Sequence, residues 1–292
     1  MKKNYALLGR AALLCTAVIW GTSFVIMKSA LDSVGTMWVL SIRFTLAAVL
    51  LILAARKKLK TVSRRCIKGS VLMGAALAAA YIVQTYGLYY TTPGKNAFLT
   101  STYCVLTPFL AWAVYKRKPG ITHVAAAFFC IVGIGFVSLD EGLYDINIGD
   151  VLTLICGLFY SMQIILMENY SDSGEASTIS AIQFLTAAVI CWAGALLLED
   201  VPHNVPANAW LEIGYLGVMC TAVCFYLQAW GMQYTPSSTA AMIMTLEAVF
   251  GALTSILFFE EKVSVQVAIG FVLIFIAVIT SELVPYKGRK LI

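Results

Sequence analysis

The sequence predicts an all-α integral membrane protein with ten transmembrane helices arranged as two inverted five-helix repeats. Three observations carry this prediction: a lipid-compatible composition, ten apolar runs of helical length, and a repeat between the two halves. The 292 residues are 60% apolar and 12% charged, with a mean hydropathy of +0.85. Soluble domains are about 45–50% apolar and about 25% charged, so soluble enzymes, nucleic-acid-binding proteins and disordered proteins are excluded.

Ten apolar runs, separated by charged residues, glycine and proline, each approach the length of about 20 residues that crosses a bilayer as a helix. A membrane β-barrel would instead show short strands of alternating polar and apolar residues, so that architecture is excluded. The predicted spans cover approximately residues 10–30, 36–55, 69–90, 95–115, 121–139, 150–168, 177–198, 208–232, 237–258 and 265–284.

Basic residues predict the orientation of these spans, because Lys and Arg in short loops stay on the cytoplasmic side. With both termini in the cytoplasm, the inner segments hold sixteen of the twenty basic residues, and the outer segments hold only Lys28, Lys95 and Lys262. We therefore expect a multi-pass protein of the plasma (inner) membrane with both termini cytoplasmic. The basic run between residues 56 and 68 is interpreted as a loop that contacts lipid headgroups, not nucleic acid.

The two halves of the chain repeat one another. Residues 42–49 align with residues 182–189, and residues 81–97 align with residues 225–241. The predicted repeats are residues 1–140 and residues 141–292. Because each repeat has an odd number of spans, the second enters the membrane from the opposite side, and such inverted repeats are typical of secondary transporters.

A family resemblance rests on four segments: Ala17–Phe24, Arg43–Phe44, Gly94–Pro108 and Thr245–Lys262. These segments resemble the EamA-like permeases, the ten-helix branch of the drug/metabolite transporter superfamily. The resemblance implies a plasma-membrane metabolite carrier with a central cavity built from both repeats. Because the family includes exporters of amino acids, amines, nucleosides and drugs, the resemblance does not define one substrate.

Two ionisable side chains are predicted to lie deep within spans: Arg43 in span two and Glu247 in span nine. A charge at the bilayer centre costs about 3 kcal/mol on insertion scales, so such residues are candidates for function. We expect Glu247 to contact a cationic group of a substrate or to exchange a proton. Arg43 is expected to contact an anionic group or to shape the outer gate. The alternative is that both residues only cap helices or neutralise buried partners.

Uncharged side chains complete the predicted binding site. Gln84 and Gln228 occupy equivalent positions of the two repeats, and an amide can hydrogen-bond either end of a zwitterion. Hydrogen bonding between helices is the alternative role. Aromatic residues would supply flat apolar walls, although they also serve as core or interface residues. The remaining candidates are Gln163, Ser101, Trp20 and Tyr81.

Glycine and proline sites are candidates for gates. Gly87 with Pro93, and Gly231 with Pro236, flank short turns that the repeat places on opposite membrane faces. Ordinary turn chemistry is the alternative interpretation, because both residue types end helices in many proteins.

No catalytic, metal or cofactor site is predicted, because the sequence lacks the HExxH, GxSxG and Walker-type motifs. The expected partners are a small-molecule substrate and the lipid bilayer. The expected function is export of small organic metabolites, such as amino acids, amines or related drugs, by alternating access. Proton coupling, exchange and facilitated passage stay open, as do monomer and homodimer. The alternative functions are a membrane-embedded sensor or channel, or an intramembrane enzyme.

Overall fold

The computed structural model describes residues 2–116, 118–139, 147–170, 173–235 and 243–283. Within these ranges the chain forms helices and loops, with no strand. A 3-10 turn at Leu59–Thr61 follows the second helix, and a π-helix at Val218–Val223 joins the ninth helix to the tenth. The helices are α1 (Lys2–Leu31), α2 (Thr36–Ala55), α3 (Arg64–Tyr90), α4 (Pro93–Ser101), α5 (Tyr103–Tyr115), α6 (Ile121–Ser138), α7 (Ile148–Tyr170), α8 (Ala176–Leu198), α9 (Ala207–Gly217), α10 (Cys224–Tyr234), α11 (Leu246–Phe259) and α12 (Val265–Leu283).

Eight helical segments of the described chain are long and apolar enough to cross a membrane. Two of them are composite: α4 with α5 forms one segment, and α9 to α10 forms another. α11 and α12 are shorter apolar helices. The all-α, multi-pass membrane class predicted from the sequence is therefore confirmed, whereas the count of ten spans stays a prediction.

Side-chain caps explain where two helices begin. Ser63 accepts a hydrogen bond from the backbone N–H of Cys66, so α3 starts at Arg64, earlier than the predicted boundary near residue 69. Thr92 accepts from the backbone N–H of Lys95, and Pro93 occupies the first turn of α4, where its missing N–H costs no hydrogen bond.

Two of the helical segments are interrupted at a threonine. Thr102 separates α4 from α5, with φ −61° and ψ −17°. Thr245 precedes α11 with nearly the same angles, φ −62° and ψ −16°. The apolar runs of the sequence continue through both positions, so the sequence predicts neither break.

Buried apolar residues form two large clusters. One cluster joins α1, α2, α3, α8 and α9 around Phe44 and Phe184. The other joins α4, α5, α6, α11 and α12, where the rings of Phe98 and Phe271 stack with centroids 4.1 Å apart. Each cluster draws helices from both halves of the chain, so the halves form a single packed bundle.

Three pairs of helices approach closely at facing glycines. A Cβ atom on Gly133 of α6 would lie 2.9 Å from the carbonyl oxygen of Gly270 of α12, too close for any side chain. The other two pairs also bring backbone atoms close together, and they join α3 to α7 and α1 to α10. These pairs are Gly87 with Gly149, and Gly231 with Gly9.

Candidate functional site

A cavity of about 190 Å³ is bounded by residues of both apolar clusters. Since about 10–15 Å³ suffices for one water molecule, the cavity is large enough for a small organic molecule. Both halves of the chain contribute to its wall. The lining residues are Trp20, Ser23, Phe24, Met27, Arg43, Leu77, Tyr81, Gln84, Thr85, Leu88, Asn96, Thr100, Tyr103, Tyr160, Gln163, Ile164, Met167, Phe225, Gln228, Met244 and Glu247.

Glu247 supplies the acidic side chain of the cavity wall. It lies in the first turn of α11, directly after the break at Thr245, where the helix dipole favours a negative charge. The residue is only 8% exposed, yet in the described part of the chain its carboxyl group has no hydrogen bond and no ion pair. A buried carboxyl group without a protein partner is available to a cationic ligand.

Arg43 supplies the basic side chain of the same wall. It is 2% exposed, and its Nε donates a hydrogen bond to Oγ1 of Thr221 at 2.8 Å. Its Nη2 lies 3.4 Å from the hydroxyl oxygen of Tyr81, and the guanidinium lies over the Tyr81 ring, 4.7 Å from its centroid. No carboxylate of the described residues forms an ion pair with it, so donors remain for an anionic ligand.

Gln84 is committed to contacts within the protein. Its Nε2 donates to Oγ1 of Thr100 at 2.9 Å, and its Oε1 accepts from the hydroxyl of Tyr160 at 2.9 Å. The side chain therefore joins α3 to α4 and α7, as the alternative interpretation of this residue predicts. Its counterpart in the other repeat, Gln228, differs, because its Nε2 makes a weak contact of 3.5 Å with Sδ of Met244.

Gln163 also lies on the cavity wall. Its Nε2 is 3.5 Å from Oε1 of Gln183, which is a long contact that leaves much of the Gln163 amide available to the cavity. Ser101 lies outside the cavity lining, although it was predicted as a binding residue. Its hydroxyl is buried and donates to the carbonyl oxygen of Phe98 at 2.7 Å.

Aromatic rings form much of the remaining wall. Trp20 packs edge-on against Phe225 with centroids 5.6 Å apart, and its Nε1 donates to the carbonyl oxygen of Cys220 at 2.8 Å. Tyr81 packs edge-on against Tyr160, again at 5.6 Å. These contacts hold the rings as rigid apolar surfaces beside the polar groups.

The candidate gating residues lie at helix contacts and helix ends. Gly87 faces α7 and Gly231 faces α1, as described above, and Pro93 begins α4. Pro236 lies outside the described residues. Close packing is the role that the two glycines have in this conformation, and it leaves the gating hypothesis open.

Two glutamates accept hydrogen bonds from the residues with which α2 and α4 begin. Glu199, which follows α8, accepts from the backbone N–H of Met37 at 3.0 Å and from the hydroxyl of Tyr86 at 3.1 Å. Glu261, which follows α11, accepts from the backbone N–H of Gly94 at 3.1 Å. Both carboxylates stabilise a helix N-terminus of the other half of the chain. Both residues fall between predicted spans, but the sequence does not predict these contacts.

No group of three or more His, Cys, Asp or Glu side chains in the described ranges is arranged to hold a metal ion. The expectation that the protein needs no metal or cofactor stays a prediction.

These features define a multi-pass membrane protein with an internal cavity of ligand size that is built from both halves of the chain. The sequence profile of the EamA-like transporter family matches residues 7–139 and again residues 147–282. The chain belongs to this family, and the resemblance found in the sequence is thereby confirmed.

Individual relatives agree with this assignment. An uncharacterized transporter of Archaeoglobus fulgidus is 32% identical over 291 residues, which cover 97% of this chain and 87% of the relative. An S-adenosylmethionine/S-adenosylhomocysteine transporter of Chlamydia muridarum is 21% identical over 230 residues, covering 73% and 72%. A crystal structure with 16% sequence identity superposes with a TM-score of 0.66 over 96% of this chain and 98% of the other, which supports the fold.

Proposed function

We propose that this protein is a secondary transporter that exports small organic metabolites carrying an amino group, such as amino acids and amines, across the plasma membrane by alternating access. One observation carries the proposal: the carboxyl group of Glu247, which has no hydrogen-bond or ion-pair partner among the described residues, and the guanidinium of Arg43 line the same cavity. A cavity with one acidic and one basic group, aromatic walls and amides is complementary to a zwitterion. Glu247 holds the cationic group, and Arg43 holds the anionic group where the substrate has one.

The proposed architecture is two inverted five-helix repeats, residues 1–140 and 141–292. The helix contacts support it, because each contact has a counterpart between the equivalent helices of the other repeat. α3 packs on α7, and in the same way α10 packs on α1. α4 packs on α7, and in the same way α11 packs on α1. The helix break at Thr102 in the first repeat has a counterpart at Thr245 in the second. The contact of Gly87 with Gly149 has a counterpart in the contact of Gly231 with Gly9. An exchange of conformation between the repeats would open the cavity to each side in turn.

The contacts at Gly87 with Gly149 and at Gly231 with Gly9 are the proposed gates. In the proposed topology, with both termini cytoplasmic, they lie at opposite faces of the membrane. Helices in such close contact move as packed pairs, so opening of a face requires one pair to shift against its neighbours. Pro93 sits at the turn next to the first pair and would permit that shift.

The named relative supports the substrate class. S-adenosylmethionine is an amino acid with an additional cationic sulfonium centre, and its transporter in Chlamydia muridarum matches most of this chain. A cavity with one carboxyl group and several aromatic faces suits cations of this kind, because ring faces attract positive charge.

A counterflow screen tests the proposed function. Purified protein in liposomes is loaded with a pooled panel of amino acids, amines and nucleosides, and entry of isotope-labelled compounds is measured by mass spectrometry. Selective exchange of compounds with a cationic amino group is expected. Exchange restricted to compounds without such a group would contradict the substrate class, and exchange of no compound by folded, inserted protein would contradict the transporter proposal.

The proposed topology has its own test in cells. A cysteine introduced at His203 should react with an external, membrane-impermeant maleimide, and one introduced at Lys60 should react only after the cells are opened. The eight native cysteines provide a low background, because all but Cys15 are buried. Labelling of Lys60→Cys from outside would overturn the proposed orientation.

A further inference from the structure

The π-helix at Val218–Val223 lies beside the cavity and changes the hydrogen bonding of span eight. In an α-helix the N–H of Cys224 would donate to the carbonyl of Cys220, four residues earlier. Here it donates to the carbonyls of Met219 and Thr221 instead. π-Turns in α-helices occur frequently at functional sites, so the groups that this turn redirects are candidates for a role in the cavity.

The first redirected group is the hydroxyl of Thr221. It donates its hydrogen to the carbonyl oxygen of Leu216, five residues earlier, at 2.8 Å. A threonine in a regular helix reaches the carbonyl three or four residues earlier, so this bond depends on the wider turn. Because the hydroxyl has one hydrogen and has used it, its oxygen can only accept from Nε of Arg43, which lies 2.8 Å away.

The second redirected group is the carbonyl of Cys220, which accepts from Nε1 of Trp20 at 2.8 Å. The π-turn thus fixes a basic residue and an aromatic residue of the cavity wall at the same time. Gly217, immediately before the turn, permits this arrangement: a Cβ atom there would lie 3.1 Å from the carbonyl oxygen of Arg43 and 2.9 Å from Cδ1 of Leu46.

We infer that Thr221 is a positioning residue that sets the direction of the Arg43 guanidinium, and that it thereby determines the preference of the cavity for carboxylate-bearing substrates over their decarboxylated amines. With Nε donating to Thr221 of the π-helix and the guanidinium lying over the Tyr81 ring, Nη1 and Nη2 carry the donors that remain for a ligand in the cavity that Arg43 lines. Two N–H groups of a guanidinium can donate in parallel to one carboxylate, so the direction in which they point decides whether such a pair forms. The inference rests on the proposed function.

Three variants test it in the counterflow assay: Thr221→Val, which removes the hydroxyl; Thr221→Ser, which keeps it; and Thr16→Val as the matched control. Thr16 is as fully buried as Thr221, but among the described residues its hydroxyl bonds only to the carbonyl of Ala12 in its own helix. The readout is the ratio of exchange of an amino acid to exchange of its decarboxylated amine. We expect Thr221→Val to lower this ratio about tenfold, and Thr221→Ser and Thr16→Val to stay within about twofold of wild type.

A second readout does not depend on transport. Phenylglyoxal modifies arginine side chains, and peptide mass spectrometry gives the modification rate at Arg43 relative to exposed arginines of the same molecule. We expect faster modification of Arg43 in Thr221→Val than in wild type, Thr221→Ser or Thr16→Val, because the guanidinium loses its fixed partner.

The outcomes separate the two proposals. An unchanged substrate ratio and an unchanged Arg43 modification rate in Thr221→Val would overturn the positioning role while leaving the transporter proposal intact. Equal loss of amino-acid and amine exchange, without a change at Arg43, would also overturn it, since that pattern indicates a general structural defect. If wild-type protein exchanges nothing, the proposed function fails, and the modification rate still decides whether Thr221 positions Arg43.

Discussion

Replacement of Glu247 by glutamine removes one charge from the cavity at nearly constant size. The residue is 8% exposed and its carboxyl group has no hydrogen-bond or ion-pair partner among the described residues, so the change breaks no internal hydrogen bond or ion pair. What it removes is a charge-assisted contact to a cationic substrate. Such a contact is worth about 1.5–3 kcal/mol, and about 1.4 kcal/mol corresponds to a factor of ten in affinity. We therefore expect the apparent KM for a cationic substrate to rise roughly 10- to 150-fold.

The assay is counterflow in liposomes at several pH values, with Glu260→Gln as the matched control. Glu260 is an exposed residue at the end of the same helix, so it receives the same chemical change far from the cavity. A carboxyl group binds a cation only when it is deprotonated, so wild-type exchange should weaken as the pH falls. In Glu247→Gln the exchange of cationic substrates should no longer weaken through protonation of this carboxyl group, whereas in Glu260→Gln the weakening at low pH should persist.

The reasoning is refuted if Glu247→Gln exchanges cationic substrates with wild-type KM at every pH. A loss of exchange accompanied by a lower melting temperature would instead assign Glu247 a structural role. The two results are separated by measuring thermal unfolding of the same detergent-purified samples.

Two further predictions follow from the packing. Gln84→Leu should lower the unfolding free energy by about 1–3 kcal/mol, because it removes the hydrogen bonds of Gln84 to Thr100 and Tyr160. Gln228→Leu should reduce exchange with little effect on stability. Thermal unfolding measures the loss of stability, and counterflow measures the loss of exchange. Gly133→Leu should prevent stable folding, because its side chain would meet the backbone of α12, whereas Gly135→Leu on the same helix should be tolerated, because a Cβ there meets nothing within 4 Å. Size-exclusion profiles of the purified variants compare them, and a normal profile for Gly133→Leu would contradict the packing.

The sequence predicts the membrane class and the two charged residues of the cavity wall, because both follow from strong one-dimensional signals. A charged residue in an apolar run is conspicuous, so Arg43 and Glu247 are found directly, and the repeat points to Gln84 and Gln228. Of the eight predicted binding residues, Ser101 lies outside the cavity lining. Its helix face cannot be assigned from the sequence, because the break at Thr102 interrupts the helical period on which such an assignment depends.

Other features depend on the register of the backbone, which the composition of an apolar run does not encode. The break at Thr245 places Glu247 in the first turn of α11 instead of the middle of a continuous helix. The role of Thr221 depends on a π-turn, and an isolated threonine in an apolar helix gives no signal of it. Similarly, the commitment of Gln84 to Thr100 and Tyr160 requires contacts between helices that are distant in sequence.

Trans-stimulation is the measurement that tests the central claim most directly. Liposomes containing the protein are preloaded with a saturating unlabelled substrate from the counterflow screen or left empty, and the initial uptake of the labelled compound is compared. A carrier that alternates between two faces is predicted to take up label faster into preloaded liposomes, because the loaded cavity returns faster than the empty one. Uptake that is independent of internal substrate would indicate a channel, and binding without uptake would indicate a sensor; either result would contradict alternating access.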